Sequence, residues 1–300
     1  MIRKNYVFKH WQLYVMLILP MAYFIVFKYM PIYGVQIAFK DFNVFKGISA
    51  SEWVGLEVFK DIFSQKGFYV ALRNTFMLNG LDLVIGFPAP IILAICLNEL
   101  RFQKFKKIAQ TMLYLPHFIS WVIIGGIVYQ VFATNYGMIN LLLENIGIGP
   151  IPFLSEKSAW LATYTSVGVW QSVGWGSIIY LAAITGINKE LYEAAEVDGA
   201  SRLRRIWHIT IPGIRTTIIV LFILKIGDMV DIGFDRPFII GNVMVREYSD
   251  VLSTYIYRIG LQSGQFSTAT AVGLFQAVVG LVFILTANYV SKKTTDEGII

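Results

Sequence analysis

Six stretches of this 300-residue chain are apolar with few interruptions, near 11–29, 75–97, 112–132, 159–183, 214–230 and 269–290. Each is close to the roughly 20 residues that a helix needs to cross a bilayer. None alternates polar with apolar, and each is much longer than the ~10 residues of a barrel strand, so the predicted form is helical. The first stretch follows Arg3, Lys4 and Lys9 as a signal peptide would. It runs on to Phe27, however, and stops at Lys28-Tyr29-Met30-Pro31 with no small-residue cleavage site, so it reads as a retained span. Between the third and fourth spans, Met138–Ile146 has helical periodicity and suits a helix lying on the outer face. The expected fold class is all-α: a polytopic membrane protein with six transmembrane helices in one domain covering 1–300.

Composition agrees with that pattern. The chain is 56% hydrophobic and only 15% charged, where a soluble domain carries about a quarter charged residues. A net charge of +6 could suit nucleic acid, but the basic residues sit in short loops beside the spans, where membrane topology explains them better. Arg3, Lys4 and Lys9, then Arg101, Lys104, Lys106 and Lys107, then Lys189, Arg202, Arg204 and Arg205, then Lys292 and Lys293 all fall on one side if the spans alternate. The positive-inside rule makes that side cytoplasmic, with both termini, and turns 31–68 and 231–267 outward. A bacterial cell membrane is the expected location. The single cysteine, Cys96, lies inside an apolar run, so no disulfide framework or redox pair exists.

One polar segment interrupts the oil. Between Glu190 and Gly213 the chain carries four carboxylates and then three arginines. Leu191, Ala194, Ala195 and Val197 give a short helix a mild apolar face, and Asp198-Gly199 ends it, since glycine adopts the positive φ that such a turn requires. Ser201 can cap a second helix bearing Leu203, Ile206 and Trp207, and Pro212 suits the start of the fifth span. On physical grounds alone, a docking element for another protein and an amphipathic connector resting on the membrane are both open.

The spacing of this segment narrows the choice. Glu193-Ala194-Ala195, three residues, Gly199, nine residues and Ile209-Thr210-Ile211-Pro212 resembles the EAA loop of binding-protein-dependent ABC importer permeases, with Ile211 where leucine is usual. Asn74-Thr75, Leu115-Pro116 and the run 273–290 are similar to the carbohydrate-uptake permeases. Tyr257–Leu261 with Gly264–Ser267 is similar to their oligosaccharide and polysaccharide-fragment branch, and Gly233-Phe234-Asp235 has Asp where that branch often has Glu. The resemblance implies the type I importer permease fold. It also implies a coupling loop over 185–213 that docks in a cytoplasmic ATPase dimer through Glu193, Ala194, Ala195, Asp198 and Gly199. A second permease subunit, in a heterodimer, and an extracytoplasmic solute-binding protein are the further implied partners, and an oligosaccharide is the implied cargo. The chain has no phosphate-binding GxxxxGK[ST] loop, so it is not read as an enzyme. No cofactor is expected on it; ATP and Mg belong to the partner ATPase.

Polar groups inside spans are expensive and mark functional candidates. Asp82 lies in the second span; Lys225 and Asp228 lie three apart in the fifth, on one helical face where they can neutralise each other. Gln171 and Trp175 share a face of the glycine-rich fourth span, an amide beside an aromatic ring that suits a sugar. Gln276 lies in the sixth. Asp82, Asp228, Gln171, Trp175 and Gln276 are therefore the candidate substrate path. Helix ties account equally for the charged groups, and packing or a lipid interface for the tryptophan. His10, His117 and His208 are too scattered for a metal site. The rival function is an ion-coupled secondary transporter of a small polar solute with Asp82, Lys225 and Asp228 as coupling groups, although neither an internal repeat nor a convincing helix break supports it.

Overall fold

The computed structural model describes residues 9–295; Arg3 and Lys4, used above for orientation, lie outside the described residues. The chain divides into two compact units, one formed by Met1–Gln65 with Ile256–Phe275, the other by Lys66–Tyr255 with Gln276–Ile300. In the first, a helical run spans Trp11–Phe39. It therefore passes Pro31, where the sequence predicted its end. The physical reason is a change of helical pitch. Residues Ile25–Tyr29 form a π turn, with the Met30 N–H bonded back to the Ile25 carbonyl, and Met30–Phe39 continues as a 3₁₀ helix. Pro31 thus enters at the first turn of a new helical segment, where its missing N–H leaves no bond unmade. The helix feeds a two-stranded antiparallel ribbon, with Lys40 opposite Trp53 and Asp41 opposite Glu52. Phe39 stacks on Trp53 at 5.7 Å, and the Lys40 ammonium donates to the Ile48 carbonyl at 2.6 Å. The 256–275 segment closes this unit, with Ser267 Oγ accepting from the Phe42 N–H at 3.0 Å and Phe63 edge-on to Phe275.

The second unit is built on two long helices, Lys66–Glu99 and Lys157–Thr185. Trp160, Tyr164, Leu78 and Ile124 are fully buried at its centre, together with Ile240 and Val251. The last two come from the 231–267 stretch, which folds back into this core. Its short helix Asp235–Ile240 is fixed by the Trp160 indole N–H, which donates to the Ile240 carbonyl at 3.1 Å, and by Asn242, which donates to the Leu154 carbonyl at 2.7 Å. The third span is also corrected. It is not one rod over 112–132 but two helices, Gln103–Phe118 and Trp121–Phe132, bent by 104°. Pro116 opens the first helix's final 3₁₀ turn, and Ile119 and Ser120 are extended, with the Ser120 hydroxyl capping the next helix. The first of these helices crosses the 157–185 helix where a side chain at Gly174 would strike the Leu113 carbonyl. Glycine is what lets the two backbones approach. The fifth span, Arg215–Val230, follows Arg202–Gly213 across a 62° bend, and Phe266–Lys293 supplies the last span, longer than the expected 269–290. Met138–Asn145 is helical as expected, and buried Asn140 staples the loop around it by bonding both the N–H and the carbonyl of Ile151 at 2.9 Å.

Candidate functional site: a charged cavity and a capped loop

The structure brings Asp82, Lys225 and Asp228 to one cavity of about 320 Å³, together with Ser172 and with Arg236, which the sequence reading did not single out. Asp82 sits at a π turn, Asp82–Gly86, within the Lys66–Glu99 helix. Lys225 and Asp228 come from the end of the fifth span, where the α-helix tightens to 3₁₀ over Asp228–Val230. Arg236 comes from the folded-back helix, and its two terminal guanidinium nitrogens donate to the two Asp82 carboxylate oxygens at 2.8 and 3.2 Å. Their side chains are only 12% and 14% exposed, so the attraction is little screened. The same guanidinium donates to the Tyr164 carbonyl at 2.9 Å and lies 3.8 Å from the centre of the Tyr164 ring. Gly168 makes room for it, since a side chain there would overlap the guanidinium. Lys225 and Asp228 line the cavity with no direct salt bridge between them, although the ammonium is near enough to act on the carboxylate electrostatically. The wall thus holds a closed pair and two further charges of opposite sign that no salt bridge joins. Arg236 was legible only through its partner. A carboxylate in mid-span requires a counter-charge, and the arginine directly after Asp235 supplies it once the 231–267 stretch packs back against the second span.

The remaining path candidates lie elsewhere. Trp175 stacks on His117 with ring centres 4.7 Å apart and meets Phe118 edge-on at 5.5 Å, while Gln171 reaches the His117 carbonyl at 3.5 Å. They share a face, as expected, but that face packs on the 115–118 turn and does not line the charged cavity. Gln276 is half-buried on the last helix and is likewise absent from the cavity wall.

The 185–213 loop folds as helix, turn, helix. Asn188 caps Lys189–Val197 by accepting from the Glu190 N–H at 3.0 Å. At the other end Gly199 has φ +73°, its N–H bonds the Glu196 carbonyl, and the Ala200 N–H bonds the Ala195 carbonyl at 2.8 Å. This is a Schellman ending, and the left-handed residue at its centre is what calls for glycine. Ser201 caps Arg202–Arg205, Arg205 pairs with Glu196 at 3.3 Å, and the Tyr192 and Thr210 hydroxyls meet at 2.9 Å. The two limbs are therefore braced against each other. Glu193, Ala194, Asp198 and Gly199 are left exposed, Ala195 half-buried, and Val197 is 89% exposed.

Residues 86–296 match the family described as binding-protein-dependent transport system inner membrane component. The chain belongs to that family. This permease is 46% identical to protein LplB of Bacillus subtilis strain 168, over 96% of its own length and 90% of the relative's. It is equally 46% identical to the polygalacturonan/rhamnogalacturonan transport system permease protein YteP of the same organism, over 96% and 89%. Among solved structures, it resembles a chain of the bacterial alginate ABC transporter in complex with alginate pentasaccharide-bound periplasmic protein, with TM-score 0.88, 40% identity, and 98% and 99% of the two chains covered. It is thus an ABC importer permease subunit, an inner-membrane component with several membrane-spanning helices. That membership sets aside the ion-coupled secondary transporter, although Asp82, Lys225 and Asp228 do share a cavity.

Proposed function

We propose that this permease carries oligosaccharide fragments of an acidic polysaccharide across the cell membrane, received from an extracytoplasmic binding protein and driven by a cytoplasmic ATPase. The observation that carries the reading is near-full-length likeness, at 46% and 40% identity, to permeases of two systems for such polymers, polygalacturonan/rhamnogalacturonan and alginate. The cavity is compatible with it. A sugar acid in transit needs weak, exchangeable partners, and Lys225 offers an ammonium not tied in a direct salt bridge while the Asp228 carboxylate can accept from hydroxyls. The cytoplasmic face, on this reading, holds both termini and the 185–213 loop. Glu193, Ala194, Ala195, Asp198 and Gly199 form the surface on which the ATPase docks, and the whole chain acts as one permease domain beside a second permease subunit. ATP and Mg²⁺ are used by the ATPase, and the permease itself is not catalytic.

Deleting the gene and measuring accumulation of labelled uronic-acid and neutral oligosaccharides of equal length tests the substrate class. Selective loss of the acidic one, restored by the intact gene, is expected. Loss of the neutral one alone would overturn the assignment while leaving the transport role standing.

A further inference from the structure

We propose that the Arg236–Asp82 pair is a latch: a positioning contact that holds the Asp235–Ile240 helix against the cavity between turnovers and parts when solute passes. The inference builds on the transport reading above. Arg236 joins three elements at one point. It binds the Asp82 carboxylate on the 66–99 helix, binds the carbonyl and ring of Tyr164 on the 157–185 helix, and belongs itself to the folded-back segment. The rest of that segment is held away from the cavity, by hydrogen bonds to its backbone carbonyls, from the Arg73 guanidinium to Glu247 at 2.8 Å among them, and not by a second carboxylate pair. Trp160 bonds the Ile240 carbonyl, Asn242 bonds the Leu154 carbonyl, and Asn74 donates to the carbonyls of Glu247 and Asp250, each at 2.9 Å. Releasing Arg236 therefore leaves the segment anchored at its far end. On the near side, Gly233 at φ +76° lies between Asp231, which accepts its N–H at 2.9 Å, and Ser253, which donates to its carbonyl at 2.5 Å. This turn holds the segment's near end, so both ends stay anchored when Arg236 is released. The latch is also not as tight as its geometry allows. Arg236 Nε and the Tyr164 hydroxyl are buried with no hydrogen-bond partner, and unmet buried polar groups raise the energy of the closed arrangement. A state that opens the pair to water or to substrate oxygens relieves both.

The test uses the whole importer in proteoliposomes, the permease assembled with its second permease subunit and ATPase, supplied with MgATP, first without the binding protein for the basal rate and then with the sugar-free binding protein for the stimulated rate. The Asp82→Asn/Arg236→Gln double variant removes both charges together and so leaves no unpaired buried charge. Arg236→Lys keeps the charge but loses the planar two-bond fork. If the pair restrains cycling, removing it lets the complex visit the open state unprompted. Basal hydrolysis per assembled complex should then rise at least three-fold in the double variant and by a smaller factor in Arg236→Lys, with stimulation by the binding protein falling in step. An unchanged basal-to-stimulated ratio in the variants that assemble, with only a lower Tm, would overturn the latch and leave a structural tie. If the double variant does not assemble, the same ratio in Arg236→Lys decides, and failure of both to assemble also overturns it. No sugar enters the assay, so a wrong substrate assignment leaves the outcome untouched.

Discussion

At the scale of single residues, two positions respond to different physics. Gly199 has open space around its absent side chain and a φ of +73°, so a substitution there meets backbone strain and not a clash. Gly199→Val should cost about 1–3 kcal/mol in the loop, insert normally, and reduce copurification of the ATPase. Gly199→Asn, which tolerates the left-handed region better, should retain more of it. Equal recovery of ATPase with both variants would contradict the proposed docking surface. Trp175 is held by His117 and Phe118, and aromatic contacts of this kind contribute about 0.5–1.5 kcal/mol beyond area burial. Trp175→Ala should therefore lower thermal stability while uptake per assembled complex stays the same; a fall in that ratio would return Trp175 to the solute path.

At the scale of elements, close crossings and changes of pitch do what composition alone does not announce. Gly174→Val drives a side chain into the Leu113 carbonyl, a backbone atom that cannot step aside. Overpacking of that kind typically costs about 1–3 kcal/mol, and thermal unfolding of the solubilised complex should record it. Gly126→Ala, with nothing within 4 Å of the added carbon, is the control and should leave Tm unchanged or slightly higher. These features also mark what the sequence could and could not reveal. Four of the six expected spans are single helices long and apolar enough to cross a membrane among the described residues, legible because crossing a bilayer demands length and apolarity, and the loop's glycine and caps were legible because turn chemistry is local. The break at 119–120 was not, since Ile119-Ser120 interrupts an apolar run without altering its hydropathy. The folded-back 235–251 segment was hidden for the opposite reason. Asp235, Arg236, Glu247 and Asp250 make it look solvated, and only the fold supplies Asp82 to the arginine and Asn74 to the carbonyls of Glu247 and Asp250.

For the molecule as a whole, the topology reading has a direct check. Val197 is 89% exposed in the proposed cytoplasmic loop, and Phe45 is 99% exposed in the segment expected to face outward. Cys96 is itself exposed and must first be removed. In a Cys96→Ala background, Val197→Cys should react with an impermeant thiol reagent only from the cytoplasmic side and Phe45→Cys only from the outside. Reaction from one and the same side would refute the alternating six-span arrangement. The site was legible in part at this scale as well: Asp82, Lys225 and Asp228 stood out as costly charges, whereas their convergence required the packing of helices more than 100 residues apart in sequence.

The 62° elbow between Arg202–Gly213 and Arg215–Val230 has a mechanical consequence. With its two limbs braced by the Arg205–Glu196 pair and the Tyr192–Thr210 hydroxyls, the loop would be the short arm of a crank whose long arm is the fifth span, provided the elbow keeps its angle as the loop moves. Lys225 rides ten residues along that arm, ~15 Å from the elbow at 1.5 Å per residue. A turn of roughly 10° there sweeps its backbone through about 2.6 Å. That is close to the length of one hydrogen bond, so a small rotation at the loop is enough to exchange one set of partners in the cavity for another.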